Sequence, residues 1–113
     1  MKNTTETGKR GEELASLFLE NKGWLILERN YRYKRGEIDL IALHDSLLIF
    51  LEVKFRKNNH FGHPENFVNA KKSEMVKQTA EYYLIEKNWK GNIRFDIIAI
   101  SGGDMPEHFE DAF

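Results

Sequence analysis

Residues 36–55 read Gly36-Glu37-Ile38-Asp39-Leu40-Ile41-Ala42-Leu43-His44-Asp45-Ser46-Leu47-Leu48-Ile49-Phe50-Leu51-Glu52-Val53-Lys54-Phe55, and the fold turns on this stretch. Two apolar runs, 37–43 and 47–55, flank the polar signal His44-Asp45-Ser46, which predicts a β-hairpin. Charges inside such runs demand a reason, because a half-buried ion loses hydration unless a partner or a metal compensates. Asp39, Glu52 and Lys54 are the charges in question. A period of two puts Glu52 and Lys54 on one face and Val53 on the other. With Asp45-Ser46 as a two-residue loop, opposing residue numbers sum to 91, which sets Asp39 across from Glu52 and Glu37 across from Lys54. Opposed β-carbons lie about 5 Å apart. A three-residue loop would instead carry Asp39 to the other face. Two carboxylates at that separation repel, and a divalent cation shared through oxygen ligands resolves the repulsion. A cross-strand ion network, with Lys54 neutralising Asp39 or Glu52, resolves it too.

Upstream of the hairpin, Thr7 reads as a helix cap, residues 8–22 carry Leu14, Leu17 and Phe18 at helical spacing, and Gly23 sits where a C-terminal cap belongs. Glu12 shares a face with Gly8, Ala15 and Leu19, suited to close packing on a sheet, while Glu13 projects with Ser16 and Glu20. Glu12 is thus the acid expected to point inward, although a carboxylate near a helix N-terminus is also favoured there by the dipole. Trp24 to Glu28 suits a short strand, and Arg29 to Gly36 reads as a basic, aromatic-bearing connection.

Downstream, residues 56–66, with Asn58, Asn59, Gly62 and Pro64, predict a loop. Residues 67–88 form the longest helical pattern, with Val68, Met75, Thr79, Tyr82, Leu84 and Ile85 as its apolar stripe, ended by Gly91. Ile93 to Ile100 reads as a closing strand, and Gly102-Gly103 releases an acidic tail over residues 104–113. The order is α-β-β-β-α-β. The second helix then serves as the crossover to a parallel fourth strand, so the fold class is α/β, a mixed sheet flanked by helices.

At 113 residues the chain is sized for one domain, 1–113, and its 41% apolar content supports a modest core. It has no cysteine, which excludes disulfide scaffolds, thiol nucleophiles and thiolate zinc sites. No apolar run approaches the roughly 20 residues of a membrane span. The polar start, Met1 to Arg10, shows no signal-peptide stretch, so a cytoplasmic protein with no membrane partner is expected. Net charge is −1, yet residues 1–103 hold all 17 bases against 14 of the 18 acids, a local balance of +3. The bases cluster as Arg29, Arg32, Lys34 and Arg35, then Lys54, Arg56 and Lys57, then Lys71, Lys72 and Lys77, either solvated faces or a footprint for phosphates.

Taken in order, Gly8-x-x-Gly11-Glu12-x-x-Ala15, Arg29-Asn30-Tyr31-Arg32, Gly36-Glu37-Ile38-Asp39-Leu40-Ile41, Glu52-Val53-Lys54-x-Arg56, Phe61-Gly62-x-Pro64 and Arg94-Phe95-Asp96 are similar to the YraN-like family of predicted endonucleases. That family sits within the PD-(D/E)XK nuclease superfamily, and the resemblance covers nearly the whole chain. It implies a single restriction-endonuclease-like domain close to Holliday-junction resolvases, and a metal-dependent DNA endonuclease or junction-processing activity. On the same footing Asp39 and Glu52 are metal ligands for Mg2+ or Mn2+, Lys54 orients or activates the attacking water, and Glu12 is an auxiliary acid. Arg29, Arg32, Lys34, Arg35, Arg56 and Lys71 are then the phosphate contacts to DNA, branched or single-stranded, and a homodimer is compatible with the pattern. Lys71 or Gln78 would be the further polar residue that such nucleases place on the helix after Glu-x-Lys; Gln78-x-x-x-Tyr82 is similar to a motif of exonuclease-type relatives, while the plainer reading makes Tyr82 core.

Other features are weaker. His60 and His63 are two zinc-type ligands in a loop without cysteine, and His44 reads as a turn residue. Tyr31, Tyr33 and Arg32 suit either a nucleic-acid backbone or packing over a sheet edge. Asp96, in an apolar strand, is expected to pair with a neighbouring base. The competing function is a catalytically silent nucleic-acid-binding or scaffold module that keeps the nuclease fold; a carboxylate-pair glycosidase suffers from the adjacent lysine.

Overall fold

A computed structural model describes residues 2–56, 69–101 and 105–113, with the side chains of the first helix given from Arg10 onward and only the backbone of Arg56. The predicted hairpin forms as read. Strand β2 (Gly36–His44) and strand β3 (Leu47–Arg56) run antiparallel with Leu40 opposite Leu51 and His44 opposite Leu47, the register of the two-residue loop. Asp45 and Ser46 both take positive φ, 49° and 67°, the geometry whose twist matches a tight hairpin.

Helix α1 (Lys2–Asn21) precedes the sheet and helix α2 (Ala70–Glu86) crosses from β3 to the parallel strand β4 (Asn92–Ser101). The element order matches α-β-β-β-α-β. Strand β1 (Leu25–Tyr33) flanks β2, and a short strand β5 (Glu107–Phe109) pairs antiparallel with β4, so the sheet order is β1-β2-β3-β4-β5. Two apolar layers result. Ala15, Leu19 and Trp24 pack with Leu40, Ile49, Leu51 and Ile98 on the α1 face; Ile38, Ile41, Phe50, Val76 and Tyr83 form the layer on the α2 face. No helix among the described residues is long and apolar enough to cross a membrane.

Several sequence readings are corrected. The first helix begins at Lys2, so Thr7 is not its cap. Its buried face is Gly11, Ala15 and Leu19, with Ser16 also fully buried, whereas Leu14 and Leu17 are exposed. Residues 29–33 are not a connection but the second half of β1: on an edge strand, alternating exposure tolerates charge, so Arg29 and Arg32 look outward without breaking the ladder. The acidic tail is not released. Asp96 is fully buried and holds it: Arg94 donates two bonds of 2.8 Å, His108 Nε2 a third of 2.8 Å, and the Asp111 N–H one of 2.9 Å. Burial alone would raise the Asp96 carboxyl, and these donors outweigh it, holding the group below the usual carboxylate range. Lys22 Nζ lies 3.0 Å from His108 Nδ1; an ammonium only donates, so Nε2 carries the ring proton toward Asp96. His44 is the last residue of β2, with its ring stacked on Trp24 at 5.2 Å.

The buried stripe of α2 is Val76, Thr79, Ala80 and Tyr83; of the expected stripe Thr79 is buried and Leu84 packs on this layer, Tyr82 and Ile85 are exposed, and Val68 lies outside the described residues. The helix starts after Asn69, whose side chain accepts from the Lys72 N–H at 2.8 Å, and closes at Lys87, before Gly91. It lies hard against the start of β2. A β-carbon on Gly36 would overlap the Thr79 hydroxyl and come within 3.2 Å of the Met75 carbonyl oxygen. Gly36→Ala is therefore expected to push α2 off the sheet and cost about 1–3 kcal/mol, read as a lower thermal midpoint.

Candidate metal and nucleic-acid site

The regular pairing of β2 with β3 stops at Leu40–Leu51, and the interruption makes the site. Leu40 belongs to the α1-side layer and Ile38 to the α2-side layer, so strict alternation breaks at Asp39. Across on β1, Arg29 opposes Leu40 and Tyr31 opposes Ile38, which brings Asn30 level with Asp39; Asn30 takes the left-handed φ of 52°. At this paired irregularity the Asp39 carboxylate enters the β2–β3 seam, where Oδ2 accepts the Val53 N–H at 2.8 Å. The expected juxtaposition of Glu37 with Lys54 is absent, because the ladder has ended. Glu37 instead opposes Arg32 on β1 and meets its Nε at 3.4 Å.

Glu52 follows on β3, 1% exposed. Its Oε1 receives Lys72 Nζ at 2.9 Å, while its Oε2 is buried and has no hydrogen-bond partner among the described residues. Burial, then the Asp39 charge, push the Glu52 carboxyl up to about 7, with Lys72 pulling the other way. Asp39 is also raised, chiefly by burial, against the Val53 N–H and Lys72. Lys54 is lowered by burial and by Lys72; on Lys72 burial works against the charge, and the Glu52 carboxylate outweighs it and raises the group.

A cleft of about 370 Å3 opens onto Asp39 and Glu52, with Arg35, Glu37, Lys71 and Lys72 on its walls and Asn69 at the N-terminus of α2. Asp39 and Glu52 thus share the cleft, whereas Lys54 is not one of its lining residues and reaches the pair only through its charge, which lowers both carboxyls. Glu12 stands at their edge: burial raises its carboxyl, an Asn30 hydrogen bond lowers it, and the Asp39 and Glu37 charges raise it further. Among the residues expected to meet phosphate, Arg35 and Lys71 line the cleft, Lys34 lines a groove beside it, Arg32 is engaged with Glu37, and Arg29 is exposed on β1. The side chain of Arg56, like His60 and His63, lies outside the described residues. Gln78 reaches Glu74 at 3.5 Å and lines the same groove as Lys34.

Lys72 is the residue missed as part of the site. The signal was available, since stepping back from Tyr83, Ala80, Thr79 and Val76 by one turn lands on Lys72, a cation on an otherwise buried stripe. One chemical arrangement suits this geometry. Among the described residues no group of three or more His, Cys, Asp or Glu gathers to cage a metal. A hard cation such as Mg2+ is commonly held by one or two carboxylates with water and substrate phosphate completing its shell. The unpartnered Glu52 Oε2 beside Asp39 fits that donor set.

A family profile described as "Uncharacterised protein family UPF0102" matches residues 11–100. A UPF0102 protein of Cytophaga hutchinsonii is 48% identical over 106 residues, 94% of either chain. One of Christiangramia forsetii is 43% identical over 111 residues, covering 96% of this chain and 93% of its own, and one of Thermodesulfovibrio yellowstonii is 44% identical over 108 residues, 96% of each.

Proposed function

The chain belongs to the UPF0102 family, and from the site it carries we propose that it is a metal-dependent phosphodiesterase acting on DNA, an endonuclease or junction-processing enzyme. The observation that carries this reading is the buried Glu52 Oε2, without a partner among the described residues, beside a second carboxylate at the point where two strands part. A closed structural ion network would satisfy that oxygen; a ligand waiting for a cation leaves it open. Asp39 and Glu52 would hold the ion, Mg2+ or Mn2+. Bound there, a hard divalent cation supplies charge neutralisation at a scissile phosphate and acidifies water.

The surrounding residues have separate work. The Val53 N–H fixes the rotamer of Asp39, so one ligand is positioned by the backbone of the strand that bears the other. Lys72 holds Oε1 of Glu52 and thereby orients Oε2. Lys54, with its ammonium disfavoured by burial and by Lys72, is suited to exchange a proton with an attacking water and to stabilise charge that builds on the phosphate. Arg35, Lys71 and the N-terminus of α2 give the cleft an anion-attracting rim.

A second reading, the silent binding module, is favoured by the Lys72–Glu52 ion pair, which compensates one carboxylate with no metal at all. Calorimetric Mg2+ or Mn2+ titration, alongside cleavage assays on branched, single-stranded and duplex DNA, separates the two. The enzyme is expected to bind the ion and cut at least one substrate; DNA binding with neither would leave the module. In metal-free buffer, replacing Arg35 and Lys71 together by Ala is expected to reduce the salt slope of DNA affinity by about two. An unchanged slope would remove the cleft rim from the footprint.

A further inference from the structure

Beside the carboxylate cleft lies a second groove of about 360 Å3, and the two share Arg35, Gly36 and Met75 as a common wall. The second groove is different in chemistry. It contains no carboxylate among its described lining residues, and is walled by Tyr33, Lys34, Gln78 and Thr79. Tyr33 ends β1, and its ring stacks on that of Tyr82 from α2 at 3.7 Å between centroids and 13° between planes. Lys34 Nζ sits 5.4 Å from the Tyr33 centroid.

The structural need for this pair is small. One residue along α2, Tyr31 and Tyr83 already fasten β1 to the helix edge to face at 5.0 Å, with Tyr83 buried and the Tyr31 hydroxyl bonded to Glu86 at 3.0 Å. Tyr82, by contrast, is 36% exposed, and the stacked pair stands at the surface next to bases rather than under the core. A parallel aromatic pair at base-stacking distance, already ordered and flanked by Lys34 and Arg35, is what an unpaired nucleobase recognises: a π-face for the base and cations for its phosphates.

We propose that the Tyr33–Tyr82 pair is a stacking subsite for one unpaired nucleotide adjoining the phosphate held over Asp39 and Glu52, so that the substrate class is a nucleic-acid strand with single-stranded character at the point of attack. This rests on the nucleic-acid reading above and deepens it. A base seated on Tyr33 takes the ring face over which Lys34 Nζ sits, Tyr82 covering the other, so that its phosphates lie beside Lys34 and Arg35, and the shared wall at Gly36 and Met75 leads directly to the carboxylates. A base inside an intact duplex cannot offer its face, whereas one in a flap, gap or single strand can.

The test uses binding without metal, so that it does not depend on cleavage. Fluorescence anisotropy of the full chain in chelator compares a single-stranded oligonucleotide with one of equal length and charge carrying a run of abasic sites. The base-bearing strand is expected to bind about tenfold or more tightly. Tyr33→Ala is expected to erase that ratio, and Tyr33→Phe to keep it, since the ring and not the hydroxyl stacks. Should Tyr33→Ala fail to fold, the ratio on the unaltered protein decides alone. Equal affinity of the unaltered protein for the two strands overturns the subsite while leaving the nuclease reading standing. Failure to bind either strand overturns both.

Discussion

Asp39→Asn and Glu52→Gln are each expected to abolish divalent-dependent phosphodiester cleavage while the chain stays folded. The two substitutions keep shape and remove charge, and a neutral amide is a poor ligand for a hard cation. Asp39→Asn retains an oxygen for the Val53 N–H, so the β2–β3 seam is preserved; Asp39→Ala leaves that partly buried donor without an acceptor and is expected to cost a further 1–3 kcal/mol, roughly. Lys54→Ala should part from both. Divalent binding persists, and cleavage falls about 10²- to 10³-fold, the range expected for losing one preorganised charge at the transition state. Calorimetric Mg2+ titration and cleavage of branched DNA, run on all four proteins, read these outcomes. Cleavage retained by Glu52→Gln would show that the buried oxygen is not a ligand. Binding to metal-free DNA is expected to be kept or improved in both amide variants, because negative charge beside the phosphate is gone.

What the sequence made legible was whatever depends on a short-range rule with a single solution. A two-residue Asp45-Ser46 turn admits one register, from His44–Leu47 to Leu40–Leu51, and Asp39 and Glu52 are the next residue on either strand. Where the sequence offered competing patterns, the decision lay in packing. On α2, Met75, Tyr82 and Ile85 made an apolar stripe as convincing as the real one, and the true phase came from where Gly36 lets the helix touch β2 at Thr79. Lys72 lies one turn before Met75 as well as before Val76, so the phase does not hide it; its place beside Lys71 and Lys77 in a basic cluster does. On β1, Arg29, Asn30 and Arg32 look like connector residues, and only membership of a sheet edge, with its solvated face, makes a strand of them. The break in alternation at Asp39 and Asn30 could not be read from a period of two, since it is a departure from it. The tail folds back because Asp96, buried on β4, requires donors that residues 108–111 supply, a demand visible only once β4 is known to be interior.

Stability of the metal-free protein is expected to decline as pH rises from about 4.5 to 7, the reverse of an ordinary paired carboxylate. Glu52 has its carboxyl pushed up to about 7 in the folded chain, against 4.5 when exposed, so the folded state binds the proton more tightly than the unfolded one. Below pH 4.5 both states are protonated and nothing is lost. Between the two values the unfolded chain ionises first, and above about 7 the folded chain carries the full cost of a buried charge, about 3 kcal/mol. For a chain of this size that corresponds to a thermal midpoint lower by on the order of 10 °C at pH 8 than at pH 4.5. Asp39, raised by burial, adds in the same direction; Asp96, held low, loses stability only at more acid pH and does not mask the trend. Glu52→Gln should flatten most of the profile and be more stable than the unaltered protein at pH 8. Lys72→Met should steepen it, because a cation bonded to Glu52 Oε1 is removed. Added Mg2+ is expected to restore stability above pH 7 and to do little near pH 4.5, since a cation binds the ionised carboxylates and not the acids. Thermal melts of the three proteins across pH 4.5 to 8, with chelator and with Mg2+, measure each part. A profile for the unaltered protein that rises through this window would mean that the Glu52 carboxylate is well solvated, and with that the reason for placing a cation beside it would disappear.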